Sequence, residues 1–254
     1  MGKSNRKLKK KQVVVVMPAY NAEKTLVKTF EDIPYKLADE IILVDDGSHD
    51  KTVMKARKLG LKTFVHPQNR GYGGNQKTCY TLALNEGADI VVMIHPDYQY
   101  DSSLTEDLIK PIKEGRFDIM LGSRIRTRSE ALAGGMPLYK YIGNRFLTIM
   151  QNIILGQNLS EYHTGFRAFK SKVLKKLPFH KFSDDFVFDQ HILVSAIREG
   201  FRIGEIVVPV RYFSDASSIS FNRSLKYGIA TVFTLFLFVL SKLKIYTSDI
   251  FSKK

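Results

Sequence analysis

Four short apolar runs, each closed by polar turn residues and followed by a helix-length segment, constrain this chain more than any other feature. Val13–Met17, Glu40–Val44, Lys62–His66 and Asp89–Ile94 are rich in β-branched residues. Between them the pattern predicts helices over roughly 21–37, from the Asp45–Ser48 turn to Gly60, and from the glycine-rich loop at 69–74 to about Glu86. Phe117–Leu121 reads as a fifth strand. Strands alternating with helices of this length require right-handed βαβ crossovers and a mainly parallel sheet. Beyond residue 122 the pattern loosens into a Gly/Arg/Ser-rich loop at 123–136 and a helix over 137–156. A strand then returns at Thr164–Lys170, a helix follows at Asp184–Glu199, and a further strand lies at Arg202–Tyr212. With 254 residues, no internal repeat and no Pro/Ser-rich linker, one domain is the economical division.

Composition excludes some classes and favours others. A hydrophobic share of 44% rules out wholesale disorder. The single cysteine, Cys79, has no partner for an internal disulfide, which suits a reducing compartment. The net charge of +14 raises the question of nucleic acid. There is no Trp, no aromatic-basic interleaving and no helix or zinc motif for that role, so no nucleic-acid partner is expected. Part of the charge sits in residues 1–11 (Lys3, Arg6, Lys7, Lys9, Lys10, Lys11), read as a flexible basic tail, either simply solvated or attracted to a membrane surface. The apolar run behind it is too short for the core of a signal peptide.

Open parallel sheets bind ligands beyond the carboxyl ends of their strands. Here Pro18-Ala19-Tyr20-Asn21, Asp45-Asp46-Gly47-Ser48 and His95-Pro96-Asp97-Tyr98-Gln99 all fall at such ends. Asp45 suits an acceptor for a base or ribose, whereas Asp46 or Ser48 would serve equally well as a helix cap. The glycines of Asn69-Arg70-Gly71-Tyr72-Gly73-Gly74 permit close backbone approach of a ligand at a helix amino end. Asp97 and Gln99 lie two apart, so in an extended segment their oxygens project to one side and converge on a hard cation. The alternative for Asp97 is a cap on the helix that starts near Ser102.

Together VVVVMPAYN (13–21), VDDGS (44–48), NRGYGGN (69–75) and MIHPDYQ (93–99) resemble the family-two inverting glycosyltransferases of GT-A fold, in the branch of dolichyl-phosphate mannose synthase and other polyprenyl-phosphate glycosyltransferases. The resemblance spans roughly residues 12–215. It implies an α/β, Rossmann-like, mainly parallel sheet flanked by helices. It also implies a nucleotide diphosphate sugar donor held by Pro18, Tyr20, Asn21, Glu23, Asp45, Asp46 and Gly71, and a Mg2+ or Mn2+ cofactor bound by Asp97 and Gln99. The family's usual Asp-x-Asp is altered, because His95 occupies the first acidic position, as a ligand or as a packing residue. Gly122-Ser123-Arg124 resembles the family's segment facing an acceptor phosphate. Arg124 is thereby assigned to that phosphate and, with Asp97, to catalysis, and Arg145 is a second phosphate candidate. Arg126 and Arg128 read as a solvated loop.

Residues 216–254 form a C-terminal apolar and basic segment. Fifteen uncharged residues separate Lys226 from Lys242, short of the ~20 needed for a span. An in-plane helix ranks before a buried core helix and a transmembrane one, with Arg223, Lys226, Lys242 and Lys244 placed for an anionic leaflet. The expected protein is therefore a metal-dependent hexosyltransferase acting on a lipid phosphate, peripheral to the cytoplasmic face of a membrane. A saccharide acceptor in the cell envelope and a degenerate nucleotide-binding subunit are the alternatives.

Overall fold

A computed structural model describes residues 11–124, 137–209 and 221–251. The basic tail up to residue 10, Arg126 and Arg128, the end of the expected 202–212 strand and the expected boundary at 215/216 lie outside these.

Seven strands form one sheet: β1 (Lys11–Ala19), β2 (Glu40–Asp45), β3 (Lys62–Val65), β4 (Ala88–Met93), β5 (Ile119–Ser123), β6 (Arg167–Lys170) and β7 (Ile203–Val207). Their order is β3-β2-β1-β4-β6-β5-β7. The pairs β1–β2, β1–β4, β2–β3 and β5–β7 are parallel, while β6 runs antiparallel between β4 and β5. The valine run explains the centre of the sheet. Val14 and Val16 pack into one apolar cluster and Val13, Val15 and Met17 into the other, so β1 is buried on both faces, as a parallel strand covered by helices must be.

The described α-helices are α1 (Leu26–Glu31), α2 (Thr52–Lys58), α3 (Tyr72–Asn85), α4 (Thr105–Lys113), α5 (Leu138–Leu155), α6 (Ser171–Lys176), α7 (Phe188–Arg198) and α8 (Phe221–Lys242). The first is much shorter than the span 21–37 expected from sequence. Asn21 adopts φ 51, which breaks the chain at its start, and Pro34 disfavours helical geometry at Ile33. By contrast α8 is longer than expected and packs on α5 and α7. Its inward stripe of Thr231, Thr234, Leu235, Phe238 and Ser241 is buried. Its outward stripe, with Leu225, Ile229, Phe233 and Phe236, is exposed, and α5 likewise exposes Leu138, Ile142, Phe146, Ile149 and Ile153. By length and composition alone 222–242 would also cross a membrane.

Candidate active site

The turns after β1 and β2 are laced together. Asn21 donates its amide to Ser48 Oγ (2.8 Å) and accepts from the His49 amide (2.9 Å). Glu23 accepts from the Lys51 amide (2.7 Å) and donates its own amide to Asp50 (3.0 Å). Pro18 is buried within β1, paired opposite Val44. Of these four sequence candidates, Tyr20, at 51% exposure, and Asn21 are open to solvent. Asn21 and Glu23 tie the two turns together, and Pro18 lies inside the sheet.

The adjacent acids at the end of β2 have different surroundings. Asp45 is 0% exposed; its Oδ2 accepts from the Gly47 (3.2 Å) and Ser48 (2.9 Å) amides, while its Oδ1 is buried without a hydrogen-bond partner. An orphan carboxylate oxygen is costly to bury and leaves this atom able to accept from a further donor. Asp46 has no such vacancy. One oxygen meets His66 Nδ1 (2.7 Å) and the Arg70 amide (2.9 Å), and the other accepts from the Gly71 amide (3.0 Å). Its carboxylate therefore shapes the glycine-rich loop from below.

That loop corrects the expectation of an open cradle at the amino end of α3. Gly71 sits at φ +84, and a Cβ there would lie 2.8 Å from Asp184 O. A Cβ on Gly73 would lie 2.4 Å from Ser183 O. The Gly73 amide donates to Asp184 O at 2.7 Å. The close approach that the glycines permit is thus to the chain's own residues 183–184, and the carbonyl of Asp184 takes the place assigned to an anion.

After β4, residues 96–99 turn rather than extend. Tyr98 adopts φ 59, and Asp97 Oδ1 accepts from the Gln99 amide at 3.1 Å. The expectation that Asp97 and Gln99 project alike from an extended segment does not hold, and Gln99 is only 7% exposed. Nor does Asp97 cap the next helical turn. Asp101 does so, accepting from the Ser103 amide at 3.1 Å. Asp97 thus stands at the sheet edge on a tight turn.

His95 is a packed ring that lies within electrostatic reach of Asp97. Its ring stacks on Tyr72 (centroids 5.4 Å apart), and a Cβ on Gly165 would reach 2.7 Å from it. Burial lowers the imidazole's pKa, against the opposing pull of Asp97 and Asp189, which favours the neutral ring. The Tyr72 hydroxyl lies 3.3 Å from His95 Nε2 and donates to Asp189 Oδ2 at 2.9 Å. Asp189 also accepts from Gln76 (3.1 Å) and ion-pairs with the fully buried Arg167 (2.9 Å). This tie from α3 to α7 and β6 was not among the site residues expected from sequence. Arg167, at the start of β6, carries its charge into the core.

Arg124 follows β5. Its Nε donates to Glu161 Oε1 (2.9 Å), one terminal nitrogen also meets Glu161, and that nitrogen donates to His163 O (2.6 Å). Burial pushes the Glu161 carboxyl up, but the charge and hydrogen bonds of Arg124 outweigh it and leave the pKa below the ordinary carboxylate value. Arg145, on α5, donates to Ser160 O at 2.7 Å. Both arginines assigned to an acceptor phosphate thus converge on the segment 160–163, and the fork of Arg124 grips a buried glutamate there.

An α/β sheet with these polar turns gathered beyond β1, β2 and β4 is of GT-A fold. The chain belongs to glycosyl transferase family 2, whose model matches residues 14–178. An uncharacterised protein of Methanocaldococcus jannaschii is 30% identical over 91% of this chain and 93% of its own length. A UDP-N-acetylglucosamine–dolichyl-phosphate N-acetylglucosaminyltransferase of Methanococcus voltae is 27% identical, covering 91% of this chain and 98% of that protein. In fold, glucosyl-3-phosphoglycerate synthase of Mycobacterium tuberculosis, crystallised with Mn2+, UDP-glucose and phosphoglyceric acid, superposes with a TM-score of 0.69. It is 21% identical, over 94% of this chain and 81% of that one.

Proposed function

We propose that this glycosyltransferase moves a hexose from a nucleotide diphosphate sugar to a polyprenyl (dolichyl-type) phosphate at the cytoplasmic face of a membrane. The observation that carries the acceptor is the apolar face of α5 and α8, of which α5 also carries Arg145. The similarity to a dolichyl-phosphate transferase over nearly the whole chain supports it. Arg223, Lys242 and Lys244 flank the outward stripe of α8 and suit anionic headgroups. Lys226 counts for less, since it pairs with Asp185 at 2.7 Å.

On the donor side, Asp45 Oδ1 accepts from the base or ribose and Tyr20 packs beside it. Among the described residues no three His, Cys, Asp or Glu side chains cluster as a self-sufficient cation cage. That suits Mg2+ or Mn2+ held by Asp97 together with the donor's diphosphate, because such ions take one or two carboxylates and complete their shell from phosphates. Gln99, being buried, supports the Asp97 turn. The ion would neutralise charge on the departing diphosphate. An oxygen of the acceptor phosphate attacks the anomeric carbon as the bond to the diphosphate breaks, inverting that centre. A phosphate acceptor is already ionised, so no general base is needed, and Arg124 orients it.

The test is a panel of radiolabelled nucleotide sugars with polyprenyl phosphate, with and without Mg2+ or Mn2+. The expected product is organic-extractable, mild-acid-labile label that requires the ion. Asp97→Ala should lower turnover by about a hundredfold or more. Only water-soluble label from wild type would overturn the acceptor, and an active Asp97→Ala would overturn the ion's site.

A further inference from the structure

Beneath the two apolar helices lies a buried polar junction. Gln190, on α7, is fully buried, and its carboxamide reaches three other parts of the chain. Its Nε2 donates to the Tyr227 hydroxyl on α8 (2.5 Å) and to His163 Nδ1 (3.1 Å), and its Oε1 accepts from Gln151 on α5. The Tyr227 hydroxyl lies 2.7 Å from His163 Nδ1 as well. With the Gln190 amide on one side, that nitrogen is assigned as the acceptor and Tyr227 as its donor, which puts the ring proton on Nε2, an atom buried without a hydrogen-bond partner. Burial pushes the His163 imidazole down to about 4, in keeping with a neutral acceptor. The backbone carbonyl of the same residue receives the Arg124 guanidinium.

Buried polar networks rigidify the elements they join where their members are paired, as Gln190 and the Tyr227 hydroxyl are here. This one joins α5 and α8, which carry the outward apolar stripes, to the segment that holds Arg124. We infer that Gln190, Tyr227 and His163 are positioning residues that couple the seating of α5 and α8 on an anionic bilayer to the order of residues 160–163, and so to the placement of Arg124. The inference rests on the membrane reading above, but not on the identity of the acceptor.

Hydrogen exchange reads the coupling without turnover. In wild type, phosphatidylglycerol-containing vesicles should slow amide exchange in α5, α8 and residues 160–167. Tyr227→Phe removes the hydroxyl and keeps the ring. It should retain vesicle binding and protection of the two helices, while the vesicle-induced protection at 160–167 falls about fivefold, the factor for one hydrogen bond. Gln151→Leu cuts the junction from the other helix; it removes one unpaired buried oxygen but takes the donor from Gln190 Oε1, so its fold is checked by circular dichroism, and the folded variant should show the same loss. If vesicles leave 160–167 unchanged in wild type, or if both variants keep full protection there, the coupling is wrong. Transfer to polyprenyl phosphate, assayed separately on wild type, judges the acceptor.

Discussion

Asp45 and Asp46 are neighbours with opposite fates, and their difference is testable by one atom. In Asp45→Asn the oxygen that accepts from Gly47 and Ser48 can be kept, while the orphan position changes from acceptor to donor. The turn should survive, and affinity for the nucleotide diphosphate should fall by about tenfold or more, the scale of one hydrogen bond to a charged group. Calorimetry with the donor nucleotide checks this, and unchanged affinity would remove Asp45 from the site. The pair also marks how far sequence reaches at this scale. A strand-end acid beside a Gly-Ser turn is legible as a ligand candidate, but which of two adjacent acids keeps a vacant oxygen depends on His66 and the loop at 69–71. Those partners lie 20 or more positions away. The Arg167–Asp189 pair was hidden for the same reason, since nothing local in either segment names the other.

Among elements, the parallel half of the sheet was the most legible, because each strand announces itself by a β-branched run closed by turn residues. The glycine-rich loop was half legible. Its glycines signal close backbone approach, but the partner, at 183–184, is supplied by a segment 110 residues further on. Gly73→Ala would place a Cβ 2.4 Å from Ser183 O and 2.8 Å from Phe188 Cβ. With backbone on one side and a buried aromatic on the other, the loop must separate from residues 183–188, at about 2–3 kcal/mol. Urea unfolding reads this loss; a midpoint within error of wild type would mean that the contact is dispensable. A second elemental tie lies at the opposite sheet edge, where Asp118 joins β5 to Lys172 (2.8 Å) and accepts from the Arg202 amide (3.1 Å). Burial pushes this carboxyl up, but Lys172 and Arg202 outweigh it and hold it at about 2. A depressed acid contributes stability that is fully present above its unfolded value near 4 and is lost as pH falls toward 2. Because Lys172 is exposed, the contribution is discounted to about 1 kcal/mol. Wild type should therefore lose about that much more than Asp118→Asn between pH 4 and pH 2, as urea midpoints at the two pH values would show.

At the scale of the molecule the unexplained feature is surface, not site. Large apolar side chains exposed in a row on one helix are uncommon on a soluble monomer, and here they occur on two helices packed together. The sequence pointed to α8, which lacks charge over its middle, but not to α5, whose exposed Ile142, Phe146, Ile149 and Ile153 look like an ordinary core stripe until α5 is seen to present them outward. A bilayer and a second copy of the chain would both cover such a face. Charge separates them: cations at the ends of α8 favour an anionic leaflet, whereas in a pair of copies they would repel one another. Phe146 and Phe233, 65% and 59% exposed, are the apolar anchors on the two helices. At about 1.5 kcal/mol for each phenylalanine, the double variant Phe146→Glu, Phe233→Glu should weaken binding to phosphatidylglycerol vesicles on the order of a hundredfold. Because both side chains point away from the core, the thermal midpoint should hold. Raising salt from 0.05 to about 0.5 M should weaken wild-type binding as the headgroup attraction is screened. Co-sedimentation with vesicles measures both effects. A wild-type protein that ignores vesicles yet sediments as a dimer, with the double variant a monomer, would give the face to a second copy and take the membrane out of the mechanism.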